Sequence, residues 1–127
     1  MKHAFLIMAH GSLPLLRVLL SMLDDERNDI FLHIDRKSNM LDGAEPLALS
    51  KARLFVLEQR VDVRWGNLSQ IKAEYVLFEE ALKHGPYAYY HLLSGQDLPI
   101  KSQDYIHQFF DEHQGKEFVG INHGEEF

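Results

Sequence analysis

Apolar and polar positions fall in blocks along this chain, and block length and period separate strands from helices. Ala4 to Ala9 is a continuous apolar run of strand length, the pattern of a strand buried on both faces. His10-Gly11-Ser12 breaks it. Ser12 is placed to cap a helix, and Pro14 falls in the first turn, where its missing N–H costs nothing. Leu15, Leu16, Leu19, Leu20 and Leu23 then form a helical stripe. Ile30 to Ile34 reads as a second buried strand ending at Asp35. Asn39 to Ala52 has no clear period, and Pro46 is expected to open a short helix there. Leu54 to Leu57 reads as a third strand, and the alternation Val61-Asp62-Val63 as a short edge strand. Asn67 and Gln70 make a capping-box pair. In the helix that follows, Leu68, Ile71, Tyr75, Phe78 and Leu82 recur at intervals of 3, 4, 3 and 4, the seam of one helical face. Gly85-Pro86 stops it. Tyr87 to Leu93 is the next strand. Ser102 caps a helix with Ile106, Phe109 and Phe110 on its apolar face, Gly115 ends that helix, and Phe118 to Ile121 is a last strand.

Strands alternating with helices predict an α/β domain, a Rossmann-like and mainly parallel sheet flanked by helices. One such domain accounts for residues 1–127, with no internal repeat, low-complexity segment or linker. The chain stops just after a predicted strand, which suggests a fragment or a boundary cut. Composition adds exclusions. Apolar residues at 46% and charged residues at 25% are ordinary for a soluble domain. A net charge of −6 disfavours nucleic acid as a partner, because there is no basic field to neutralise phosphates. The absence of cysteine removes disulfides and thiolate metal sites. No apolar run approaches the roughly 20 residues of a transmembrane helix, and no signal-peptide pattern is seen at the start, so a cytoplasmic location is expected.

In open α/β sheets ligands bind outside the carboxyl ends of the strands. The segments predicted there are His10-Gly11-Ser12, Asp35-Arg36-Lys37, Arg64-Trp65-Gly66 and Ser94-Gly95-Gln96-Asp97, and their convergence on one sheet edge says more than any one residue. His10 is either a structural strand end or a polar ligand contact, with Gly11 permitting close backbone approach. His33 and Asp35 share a strand face but are too few to hold a metal; Asp35 fits better as an acceptor for a ribose or base. Trp65, the single tryptophan, is either a core plug or the wall of a nucleotide or sugar pocket. Pro99 extends Leu98 and stiffens the turn that carries Gln96 and Asp97 outward. Lys37 and Lys101 read as solvated, within reach of a diphosphate.

The strings FLHIDRKS, VRWGNLSQIKAE and YYHLLSGQDLPIKS, in this order, resemble the core-2/I-branching N-acetylglucosaminyltransferase family and the related peptide O-xylosyltransferases. The resemblance runs from His3 to about Gly120. It implies a GT-A-type fold and an inverting transfer from a UDP-sugar donor to a glycan or other acceptor, with no metal and no other cofactor. The chain has no Asp-x-Asp metal motif, as the family would have it. The resemblance places Ala9, His10 and Asp35 around the nucleotide, and Trp65, Gly66, Ser94, Gly95, Gln96 and Asp97 around the donor sugar and acceptor cleft. It puts the catalytic glutamate and the basic diphosphate clamp in a later segment that nothing here matches. No catalytic base is therefore assigned, and the chain reads as the donor-binding N-terminal half of a longer catalytic domain, from an enzyme of bacterial surface-polysaccharide synthesis. Two other readings stay open. One is a non-catalytic module that binds a nucleotide sugar or a partner protein. The other starts from LIMAHGS, a strand followed by His-Gly-Ser, which resembles small metal chelatases and sugar-phosphotransfer domains.

Overall fold

A computed structural model describes residues 2–64, 68–95 and 103–112. Four strands, β1 (His3–Ala9), β2 (Asn28–Ile34), β3 (Arg53–Val56) and β4 (Tyr89–Ser94), form one sheet in the order β3-β2-β1-β4, and every pairing is parallel. The helices are α1 (Leu13–Leu23), α2 (Leu68–His84) and α3 (Gln103–Glu112). The predicted α/β class is therefore the observed one. The predicted strand over 118–121, the Asn67 and Ser102 caps and the stop at Gly115 lie outside the described residues.

β1 and β2 are buried along their whole length, as their unbroken apolar runs require. Their side chains divide between the two sheet faces. On one face Phe5, Ile7, Ala9, Ile30, Leu32 and Ile34 pack with Leu16, Leu19, Leu20 and Leu23 of α1. On the other, Ala4, Leu6, Met8 and Phe31 pack with Ala73, Val76, Leu77 and Ala81 of α2. Helix α1 starts as its sequence directs: Ser12 Oγ accepts the Leu15 N–H at 3.2 Å, and Pro14 sits in the first turn.

Two expectations are corrected. Pro46 opens no helix. The chain from 44 to 49 runs without regular structure, with Leu47 and Leu49 packed on the α1 core. Its course is fixed from both sides: Arg17 donates to the Glu45 carbonyl, and Asp24 accepts the N–H groups of Ser50, Lys51 and Ala52. Val61-Asp62-Val63 is not a strand: its backbone is taken up by the side chains of His33, Asp35 and Lys37 and by the Arg36 N–H, not by a strand ladder. On α2 the conspicuous seam faces water. Leu68, Tyr75 and Leu82 are 79%, 68% and 66% exposed, whereas the small residues Ala73 and Ala81, with Val76 and Leu77, are the ones that meet the sheet.

Candidate functional site

The chain lays down β1, β2 and β3 in one direction, then crosses through α2 to place β4 on the far side of β1. That reversal is a topological switch point, and in such sheets the ligand crevice lies outside the carboxyl ends of the strands on either side of it, here β1 and β4. Ala9 and His10 end β1 there, and Ser94 and Gly95 end β4. Asp35 follows β2 on the adjoining strand.

These ends are drawn tightly together. The Asp35 N–H donates to the Ala9 carbonyl at 2.8 Å, and the Gly95 N–H donates to the Met8 carbonyl at 2.8 Å. At position 95 an added Cβ would stand 2.9 Å from Ala9 Cβ and 3.1 Å from Ala9 Cα. Glycine is required by this close approach of two strands, with no appeal to backbone conformation. Gly95→Ala is expected to destabilise the fold by about 1–3 kcal/mol through overpacking and to widen the crevice. Urea denaturation measures it, and a change under about 0.5 kcal/mol would show that the strand ends yield freely.

The end of β2 is braced by a strap formed by residues 60–64. His33 Nε2 accepts the Val61 N–H at 2.9 Å, and the Val61 carbonyl accepts the Arg36 N–H at 3.0 Å. Asp35 Oδ1 accepts the N–H groups of Lys37 and Val63 at 3.0 and 3.3 Å. The Lys37 ammonium, 3.1 Å from Asp35 Oδ2, also binds Asp62 Oδ1 at 2.6 Å and the Val63 carbonyl. The Arg60 guanidinium donates to the carbonyls of Ile34, Asp35 and Ser38. Burial on its own raises the Asp35 pKa, but the Lys37 and Val63 N–H groups and the Lys37 ammonium outweigh it and hold the carboxyl below its ordinary value. Burial pushes His33 down, and an Nε2 that accepts a backbone N–H is by necessity unprotonated. The strand end thus presents an ionised acid on a fixed backbone.

The family profile described as Core-2/I-Branching enzyme matches residues 3–126. The chain belongs to the core-2/I-branching enzyme family. No curated protein matches it. This family is one of glycosyltransferases of the N-acetylglucosaminyltransferase type, and the parallel sheet with helices on both faces is its GT-A-like α/β architecture.

Within this branching-enzyme fold, five of the residues singled out from the sequence are brought to one edge. Ala9 and Gly95 are buried in the strand contact, Ser94 is half-buried, His10 is exposed, and Asp35 is 7% exposed. Trp65, Gly66, Gln96 and Asp97 lie outside the described residues. Lys37, read as solvated, keeps half its side chain exposed but binds both Asp35 and Asp62. Arg60 was not foreseen as part of the site; a basic residue in an aperiodic stretch carries no signal of the three carbonyls it caps. The His33-x-Asp35 pair was a real signal with a different meaning, two acceptors that dock a neighbouring backbone. Among the described residues, no three His, Asp or Glu side chains converge to hold a metal ion. A groove of about 630 Å³ lies between β3 and α2, lined by Leu54, Val56, Glu79 and Lys83 among others, and none of the five strand-end residues reaches it.

Proposed function

We propose that this chain is the donor-binding part of an inverting glycosyltransferase that takes a UDP-sugar and passes the sugar to a glycan acceptor without a metal. The observation that carries the reading is the meeting of Ala9, Gly95 and an ionised Asp35 at the switch-point crevice of a branching-enzyme fold. Metal independence rests on the absence of any Asp-x-Asp pair in the 127 residues.

In this reading Ala9 and His10 form the floor of the nucleotide pocket, and Asp35 accepts hydrogen bonds from the ribose or base. A carboxylate has about four acceptor sites. The N–H groups of Lys37 and Val63 use those on Oδ1, and among the described residues only the Lys37 ammonium holds Oδ2. Lys37 is the mobile member, a half-exposed point charge on a flexible stem. A diphosphate draws it outward and leaves Oδ2 to the nucleoside. Ser94, Gly95, Gln96 and Asp97, with Trp65 and Gly66, border the sugar and acceptor. Inverting transfer also needs a carboxylate to take the acceptor proton and positive charge on the leaving UDP. With Asp35 committed to the nucleotide, that base comes from a glutamate-bearing segment beyond the residues matched here, and the chain supplies the donor-binding half.

Calorimetry with UDP and UDP-N-acetylglucosamine, in EDTA and in Mn²⁺, tests this. Binding is expected in both, and Asp35→Asn is expected to weaken it by about 1–3 kcal/mol, the size of a charge-assisted hydrogen bond. Binding only with Mn²⁺ would remove the metal-free mechanism. Failure of the folded protein to bind either nucleotide would remove the donor-site reading.

A further inference from the structure

The turn after β2 decides where the Asp35 carboxylate stands, and one distant side chain holds that turn. Past Ile34 the ladder with β1 ends, and residues 35–38 turn back, with the Ser38 N–H donating to the Asp35 carbonyl at 2.9 Å. Three carbonyls of this stretch meet a single cation. Arg60 Nε donates to the Ile34 carbonyl at 3.1 Å, and Arg60 Nη2 donates to the carbonyls of Asp35, at 2.8 Å, and Ser38. A guanidinium can do this because its five N–H donors sit in a rigid planar fork. Arg27, Arg53 and Arg64 each pair with a carboxylate, whereas Arg60 pairs with none among the described residues. Its charge is spent on one piece of backbone.

That piece of backbone carries the site acid. The residues after Arg60 complete the hold: the Val61 carbonyl accepts the Arg36 N–H, and the Val63 N–H donates to Asp35 Oδ1. Arg60 itself makes no bond to the carboxylate. The turn is at the surface, with Arg36 and Lys37 exposed, so water can take the place of the guanidinium on its carbonyls. Loss of Arg60 therefore leaves the core intact and frees the turn to rock. Hydrogen bonds weaken steeply as they bend, so a rocking carboxylate is a poor acceptor for a ligand. We propose that Arg60 is a positioning residue for donor binding, one that aims the Asp35 carboxylate at the nucleoside by clamping the turn behind it. This role rests on the donor-site reading given above.

A double-mutant cycle on folded protein, read by calorimetry with UDP, tests it. Arg60→Ala is expected to weaken UDP binding by about tenfold, part of what a charge-assisted hydrogen bond supplies. In an Asp35→Asn background the same change is expected to cost nothing further, because Arg60 acts only through Asp35. Arg60→Lys keeps the charge but loses the fork, and is expected to bind as poorly as Arg60→Ala. It also serves as the test should Arg60→Ala fold badly. A readout without nucleotide is the titration of the Asp35 carboxyl followed by carbon NMR. Its pKa is held below the ordinary value by the N–H groups and ammonium around it, and is expected to rise in Arg60→Lys as the turn loosens. Wild-type affinity in Arg60→Lys would assign the effect to charge alone and overturn the proposal. So would an equal loss on removing Arg60 with and without Asp35, or an Asp35 titration that Arg60→Lys leaves unmoved. A wild-type chain that binds no UDP removes the donor-site reading and this role with it. A chain that binds UDP and loses affinity in Asp35→Asn, but not in either Arg60 variant, overturns the positioning role alone.

Discussion

Between about pH 6.5 and pH 4 the protein is expected to lose stability steeply, by on the order of 3 kcal/mol per pH unit for two histidines refused their protons. His3, His91 and His107 are packed together beneath the amino ends of β1, β2 and β4. His3 Nδ1 lies 2.9 Å from His91 Nε2, and the His3 and His107 rings are 3.8 Å apart. Asn28 uses its amide N–H groups on the Leu23 carbonyl and Gln103 Oε1, so its carbonyl oxygen, 2.8 Å from His107 Nε2, must accept from that ring. Burial, reinforced by the neighbouring imidazoles, lowers His3 and His91 from 6.5 to about 3, and burial also lowers His107. Folded values below the unfolded one mean that the unfolded chain binds protons the folded chain refuses. The stability tied to the neutral rings is complete above 6.5 and is lost as the pH falls toward 3. His33 adds to the loss, since its protonation would release the Val61 N–H and the strap. The carboxylates act later. Asp24 and Asp29, both lowered from 3.8 to about 2, contribute fully until the pH drops below 3.8. Urea denaturation at a series of pH values measures the slope. His91→Phe is expected to remove about 1.4 kcal/mol per pH unit from it. Stability that stays level down to pH 4.5 would show that the cluster accepts protons without cost.

Most of the frame behind this cluster was legible in the sequence, because strand length, helical period and punctuation are local. β1, α1 and β2 follow directly from an apolar run, a Ser-Leu-Pro start and a leucine stripe. What failed, failed where the partner is distant. On α2 the bulky seam outweighs the sheet-facing side in any hydrophobic count, yet Ala73 and Ala81 are what allow a helix to lie close on a sheet. In Val61-Asp62-Val63 the alternation is real, but the groups it serves, His33 and Asp35, lie 28 residues earlier in the chain. His3 and His91 are 88 residues apart, and nothing near either marks the pair. The placement of Ala9, His10, Asp35, Ser94 and Gly95 at one edge was also legible, since β–α alternation alone dictates that strand ends gather there. Its bracing by Arg60 and Lys37 did not show, because surface cations look alike until their acceptors are placed.

Asp29 gives the sharpest single-residue test of the fold. It sits at the amino end of β2, opposite the crevice, with no solvent exposure. Its Oδ1 accepts from the Lys2 ammonium at 2.9 Å and from Arg53 Nε at 3.1 Å; its Oδ2 accepts from Arg53 Nη2 at 2.6 Å and from the Tyr87 hydroxyl. One carboxylate therefore ties β2 to β3, to the start of β1 and to the entry of β4. Burial raises its pKa, but hydrogen bonds from Arg53, Tyr87 and Lys2 more than reverse this and leave it at about 2. Removing one member of a buried pair usually costs about 3–5 kcal/mol, because the other charge is left without a partner. Here Arg53 and Lys2 keep 55% and 44% of their side chains in water and can be rehydrated, which trims the penalty. What remains is the loss of several charge-assisted hydrogen bonds and an orphaned Tyr87 hydroxyl. Asp29→Ala is thus expected to lower the unfolding free energy by about 3 kcal/mol, while Lys2→Ala, which leaves the Arg53 and Tyr87 bonds in place, costs under about 1 kcal/mol. Because Asp29 lies at the opposite end of the sheet from Ala9, Asp35 and Gly95, the fraction of Asp29→Ala that remains folded should bind nucleotide as the wild type does. Equal losses for the two substitutions would show that the carboxylate is not the hub, and a loss under 1 kcal/mol for Asp29→Ala would show that the network adds no more than an exposed ion pair.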